Sequence, residues 1–335
     1  MEGIEGQSGL PSPPPEEIEK KQNGPLALSQ LLFIVGHIAI KQIVHLELCE
    51  LDFKRRKAEK EKIKASNASP VKGSTIDQDE LDLIGGTTED DFTEAMTHIR
   101  ERELLYGANS LLSNFAPLVT EICSNNTAYK DEDLQAAATL CMAKLMCVSS
   151  EYCEKNLPLL ITILERSQNA VTRSNVVIAL GDMAVCFNHL IDENTDFLYR
   201  RLNDNDASVK RTCLMTLTFL ILAGQVKVKG QLGEMAKCLE DSDKRIADMS
   251  RMFFTELATK DNAVYNHFID MFSLLSAEKD LREDALKRII KFLSSFIEKV
   301  SQQTVLAFLS LQTYILIGQA CQTARGQACG KACTL

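Results

Sequence analysis

Three segments of this 335-residue chain repeat one another at a fixed distance, and that repeat restricts the fold more than any other feature. L-E-R-S-Q-N-A-V-T-R from Leu164, L-N-D-N-D-A-S-V-K-R from Leu202 and L-E-D-S-D-K-R-I-A-D from Leu239 share one layout. Each sets a leucine, a short polar turn, and an aliphatic residue seven positions on: Val171, Val209 and Ile246. Leu134 in D-E-D-L-Q-A-A-A-T-L fits one period upstream, so the four aliphatic positions lie 37, 38 and 37 residues apart. A long apolar-periodic stretch and then a shorter one follow, such as NLPLLITILE and GQLGEMAKCLE. A helix pair at this period cannot bury its apolar face alone; the next pair supplies the missing surface, which is the logic of an α-solenoid. The expected fold is therefore all-α, with Leu134, Val171, Val209 and Ile246 buried at equivalent places in successive pairs.

Composition agrees with helix rather than sheet. Trp is absent, Gly (16) and Pro (8) are sparse, and both lie mostly outside the periodic stretches. A formal net charge of -9 argues against a chain that coats nucleic acid along its whole length, while leaving room for a local basic patch. Seven of the eleven cysteines (Cys123, Cys141, Cys147, Cys153, Cys186, Cys213 and Cys238) fall singly at apolar helical positions, as small core hydrophobes do. With no secretory signal after Met1, they are expected to be free thiols in a reducing compartment.

Along the chain, residues 1–24 carry Pro11, Pro13, Pro14 and Pro15 with a run of Glu and read as a disordered leader. Residues 25–64 read as one long helix with a basic C-terminal end; its apolar run LALSQLLFIVGHIAI is broken by Gln30 and His37 and reads as too short for a membrane span. Residues 65–90 form an acidic flexible linker. Helical periodicity fills 91–299, and 300–335 is an atypical tail that holds no acidic residue.

Nothing in the chain has the layout of a catalytic or cofactor site. GQACGK at 326–331 has three residues between its glycines where a phosphate-binding loop needs four, and no strand precedes it. There is no nucleophile elbow and no HExxH pair. His45 and Cys49, at i and i+4, are two ligands where a closed zinc site needs four. The expectation is no enzyme, no cofactor, no metal, no membrane and no small-molecule substrate. Basic residues are the remaining candidates. Lys54, Arg55, Arg56 and Lys57 read either as a nuclear-import cluster or as a solvated helix end that complements the helix dipole. Lys227 and Lys229, ahead of Gly230 in a tight turn, are candidates for DNA or partner contact. Arg173, Arg211, Lys244 and Arg245 are a second set, at the starts of successive first helices and so near the opposite edge.

Longer segments carry a resemblance. ATLCMAKLMCVSSEYCEKNLPLLITILERS, TRSNVVIALGDMAVCFNHLIDENTDFLYRRLND and GQVKVKGQLGEMAKCLEDSDKRIADMSRMFFTELATKDNAVYN are similar to the large regulatory HEAT-repeat subunit of condensin, in its C-terminal repeat region. GHIAIKQIVH and RERELLYGANSLLSNFAPLV fit as well, so the likeness covers roughly 26–299. Asp204 and Lys210, six apart around the polar turn, resemble the acid and base positions of the inter-repeat ladder in HEAT arrays. The resemblance implies a HEAT-type solenoid and a non-enzymatic regulatory scaffold for mitotic chromosome condensation. Its implied partners are the kleisin and SMC subunits and double-stranded DNA, in the nucleus and on mitotic chromosomes with a cytoplasmic pool. The competing readings are the paralogous condensin II subunit and an importin- or adaptor-type solenoid that binds peptide cargo. Family members are several times longer, and the abrupt change after Lys299 suggests an alternative terminus whose last residues carry no family function.

Overall fold

In the computed structural model the described residues are 15–67, 88–226, 230–260 and 262–297, and among them there is helix and turn but no strand. The chain divides into two compact units, Met1–Leu198 and Tyr199–Leu335.

The first unit opens with α1 (Pro15–Asn67). This helix starts ten residues before the end of the expected leader. Proline is well tolerated at the first helical position, the acidic residues after it favour a helix N-terminus, and EEIEKKQ is rich in good helix formers. The remainder of the leader, most of the acidic linker and the tail lie outside the described residues. Then come α2 (Thr88–His98), which runs through a π-helical turn Ile99–Glu103 into a last helical turn Leu104–Tyr106, α3 (Leu111–Ser124), α4 (Glu132–Met146), α5 (Ser150–Arg166), α6 (Ala170–Cys186) and the short α7 (Asn188–Asp192). Leu32, Val35, Ala39 and Ile43, at helical spacing, are buried where α1 lies along α4. Gly36 permits that approach: a Cβ there would sit 2.9 Å from Lys144 Cδ and 3.3 Å from the Cys141 Cα. The expectation that this apolar run is too short for a membrane is corrected. The helix continues through it, and Gly24–Lys60 is long and apolar enough to cross one by length and composition alone, a test that a solenoid core helix also passes. α3 and α5 are joined by a buried polar cluster, in which Thr120 Oγ1 lies 3.1 Å from Tyr152 Oη and 3.2 Å from Asn156 Oδ1.

α8 (Thr195–Arg200) spans the boundary between the units and tightens into a 3-10 turn, Arg201–Asn203. The second unit continues with α9 (Ala207–Leu222), α10 (Leu232–Lys237) with the 3-10 turn Cys238–Glu240, α11 (Lys244–Leu257), α12 (Ala263–Asn266), α13 (Phe268–Ala277) and α14 (Glu283–Ser294). α11 packs on α9, and α13 packs on α10, where Gly233 leaves room for Leu274. Buried Ser250 on α11 donates to the Met235 carbonyl of α10 at 2.8 Å.

Helix starts reveal the register of the repeat. The residues that precede α4, α6, α9, α11 and α14 are Asp131, Asn169, Asp206, Asp243 and Arg282, spaced 38, 37, 37 and 39 residues apart. Three residues after each cap stand Leu134, Thr172, Val209, Ile246 and Ala285, which are 3%, 6%, 0%, 0% and 5% exposed. Val171 is 65% exposed and is not a core residue, contrary to the sequence reading. The cause lies upstream. In the second unit the preceding helices end in 3-10 turns, with three residues per turn, whereas α5 stays α-helical to Arg166. That places one more residue between Leu164 and the cap than between Leu202 or Leu239 and theirs, so counting seven from the leucine lands one short of the core position.

Ion pairs close the flank of the second unit. Arg288 of α14 donates to Glu240 Oε2 from Nε at 2.9 Å and from Nη2 at 2.6 Å, and these bonds hold the Glu240 carboxyl below the usual glutamate range. A carboxylate with a depressed native pKa adds stability that is present above its unfolded pKa and is lost as pH falls through the native one. Replacing Glu240 with Gln should therefore lower stability slightly at neutral pH, where the ionised carboxylate pairs with Arg288, and flatten the acid limb so that variant and parent converge below the ordinary glutamate pKa of about 4.3, as read from urea midpoints across pH. In the same assay Val209→Ala should cost on the order of 1–3 kcal/mol through lost burial and a cavity, and Val171→Ala less than about 0.5 kcal/mol. Equal losses at the two valines would contradict the register.

Candidate functional site

The starts of the first helices in the second unit are built by paired aspartates. Asp204 Oδ1 accepts the Asp206 N–H at 2.9 Å, and Asp241 Oδ1 accepts the Asp243 N–H at 2.8 Å. The second aspartate of each pair then caps the helix: Asp206 accepts from Ser208 and Val209 (2.8 and 3.3 Å), and Asp243 from Arg245 (2.9 Å). The first aspartate keeps its other oxygen for a cation. Asp204 Oδ2 lies 3.4 Å from Arg201 Nη1, and Asp241 Oδ2 lies 2.7 Å from Lys210 Nζ. The sequence reading set Lys210 with Asp204 within one turn; the structure brings its ammonium to the aspartate of the following repeat, 31 residues on. Two further links, Lys237 to Glu278 and Arg288 to Glu240, escaped the sequence reading because 41 and 48 residues separate the partners. An acid in one polar turn with a cation about one repeat away is the signal that would find them. Burial disfavours the Lys237 ammonium, but its bonds to Glu278 and Glu234 outweigh that and raise its pKa.

Against this ladder the candidate cations separate. Arg173 Nη1 donates to the Ser167 and Gln168 carbonyls at 2.9 and 3.0 Å, sealing the C-terminal end of α5. Arg211 Nε donates to the Ala207 carbonyl of its own helix at 3.2 Å. Lys244 and Arg245 are exposed at the first turn of α11, and neither side chain has a hydrogen bond or ion pair to another described residue. Lys227 and Lys229 lie outside the described residues; Gly230 after them has φ +80°, a left-handed turn that suits glycine. Lys54, Arg55 and Arg56 lie along α1 in ion pairs with Glu50 and Asp52, each at 2.7 Å, and Lys57 follows on the same helix. Such exposed pairs contribute little, so they leave the cations accessible. Cys49 Sγ is 3.7 Å from His45 Nε2, and among the described residues no three of His, Cys, Asp and Glu converge as a metal site.

Comparison with known proteins shows the family. The family described as non-SMC mitotic condensation complex subunit 1 matches residues 171–312, past Lys299 where the segment likeness had ended. Condensin complex subunit 1 of Schizosaccharomyces pombe is 58% identical over 292 residues, covering 86% of this chain and 25% of that protein. Its Saccharomyces cerevisiae counterpart is 59% identical over 285 residues, covering 83% of this chain and 24% of that protein. Condensin-2 complex subunit D3 of Mus musculus is 29% identical over 150 residues, 44% of this chain and 10% of that protein. The chain thus spans about a quarter of the length of the two yeast relatives. With a repeat of capped helix pairs and this level of identity across most of its length, the chain belongs to the condensin complex subunit 1 family.

Proposed function

We propose that this chain acts as a non-catalytic scaffold region of a condensin complex, docking on the kleisin beside the SMC subunits and touching duplex DNA during mitotic chromosome condensation. The observation that carries the reading is identity near 58% over 86% of the chain with a protein named as a condensin subunit. A fold of stacked helix pairs supports it, since such arrays work by presenting extended surfaces. Localisation follows from the same reading: the nucleus and mitotic chromosomes, with a cytoplasmic pool between divisions and Lys54–Lys57 as the import cluster. The condensin II reading is weakened by the shorter and lower match to subunit D3, and nothing in the geometry favours a peptide-cargo groove.

For DNA, two cation sets remain in the argument. Lys244 and Arg245 stand exposed at a helix start, and Lys227 and Lys229 precede a left-handed glycine turn. Cations on phosphates position a protein without reading bases, so neutralising a contacting pair should weaken duplex binding uniformly across sequences. The logarithmic salt slope should become shallower by about 0.9 per lost contact. Double alanine variants of each set, titrated with duplex at low salt, should show this for at least one set, with unchanged urea midpoints. In parallel, the tagged chain purified from mitotic cells should bring down SMC and kleisin chains. Recovery of neither, together with parental DNA binding by both variants, would remove the proposal.

A further inference from the structure

The inter-repeat ladder has a gap in the first unit. In the second unit Lys210, four residues after the Asp206 cap, reaches Asp241, two residues before the Asp243 cap, at 2.7 Å. Counted from the caps Asp131 and Asn169, the same two places at the junction of α4 and α6 hold Gln135 and Ser167. Neither makes the link. Gln135 Nε2 donates backward to the Ile122 and Tyr129 carbonyls at 2.8 and 2.9 Å, and Ser167 Oγ accepts the Asn169 N–H at 3.3 Å. The third position after the cap differs too. Val209 and Ile246 are aliphatic there, whereas Thr172 is polar and still only 6% exposed.

α6 packs on α4, and where the ladder is missing a cleft of about 450 Å³ opens, with Gln135, Ser167 and Thr172 in its lining. That volume falls within the range of specific ligand sites, about 300–1,000 Å³. Two exposed cations stand on its rim: Lys130 in the turn before α4 and Arg166 at the end of α5. Neither side chain has a hydrogen bond or ion pair to another described residue. Among the described lining residues Glu132 is the only acid. A locally cationic notch is thus set in a chain whose formal charge is -9.

We propose that this cleft receives an aspartate or glutamate side chain on an extended segment of a partner protein, which supplies the acid that the chain's own ladder lacks at this junction. Arg166 holds the carboxylate through paired N–H···O bonds, the geometry a guanidinium fits, and Lys130 adds a point charge from the neighbouring turn. The Glu132 carboxylate is an acceptor for main-chain N–H groups of the incoming segment, which carries both donors and acceptors. Duplex DNA fits less well. It binds through many cations on a row of phosphates, and Lys130 is followed at once by Asp131, Glu132 and Asp133, which repel such a row. The site is a single notch at one junction and not a groove along the array, and it rests on the geometry of the first unit rather than on the condensin reading. Filling it ties α4 to α6 as Lys210 ties α9 to α11.

The test uses the intact 335-residue chain. Immobilised short peptides that differ only in a central Asp, Glu, Asn, Gln or Lys are probed with it at low salt, where screening is least. Acid-centred peptides should retain the chain about tenfold better than their amide counterparts, since bonds to a charged group exceed neutral ones by roughly that factor. This comparison needs no variant to fold. The best acid-centred peptide, labelled and titrated in solution, should bind Arg166→Gln about tenfold more weakly and Lys130→Ala more weakly to a smaller degree, with parental urea midpoints, because both side chains are exposed. The double variant Gln135→Lys with Ser167→Asp writes the missing pair into the junction; it should lose the peptide and unfold at higher urea. Equal retention of acid- and amide-centred peptides, or parental peptide affinity in Arg166→Gln, would overturn the assignment. Duplex DNA that outcompetes the peptide on the parent chain and loses affinity in the same two cation variants would also overturn it, by giving Lys130 and Arg166 to phosphate.

Discussion

Everything in this fold depends on how the first helix of each pair begins. A helix start leaves amide donors without partners. Four of five are met by a side chain: Asp131, Asn169, Asp206 and Asp243 accept from the amides of the first turn. Because the cap fixes the phase of the helix, the residue three positions on points into the core every time. Capping and burial are one constraint, and the interval between caps is the repeat.

Much of this was legible in the chain. Leu134, Val209 and Ile246 stand at the buried third position, and the polar turns that precede them show in the sequence as clusters of Asp, Asn and Ser. Val171 misled because its period was counted from a leucine rather than from a cap, and a helix that ends in a 3-10 turn uses fewer residues than one that ends α-helical. Thr172, the buried residue, is polar, and Ala285 is small, so neither announces itself as a core position. The candidate site was harder. Lys210 was visible as a ladder cation, but its partner Asp241 lies in the next repeat, and which turn it reaches is decided by packing. Arg173 looked like a loose cation and proves to seal a helix end, a use that no local pattern signals.

The chemistry divides along the same line as the packing. In the second unit charges meet in pairs that link one repeat to the next, through Lys210–Asp241, Lys237–Glu278 and Glu240–Arg288. Their partial exposure makes each weak alone, and their value lies in fixing the register between helices that apolar packing would let slide. In the first unit the links include the apolar stripe of α1 on α4, the polar cluster of Thr120, Tyr152 and Asn156 between α3 and α5, and the Arg102–Glu151 pair.

Residue-resolved hydrogen exchange on the intact chain tests the capped-start account most directly. The amides of Leu134, Thr172, Val209 and Arg245 donate to no carbonyl of a preceding helical turn, so in an uncapped start they would exchange at loop rates. The account predicts that these four exchange slowly and in step with the buried helix interiors, while exposed Val171, whose amide also meets Asn169, exchanges with its own cap. Exchange of all four at the rate of unstructured chain, with the helix interiors still protected, would show that the caps do not hold the repeat and would contradict the account.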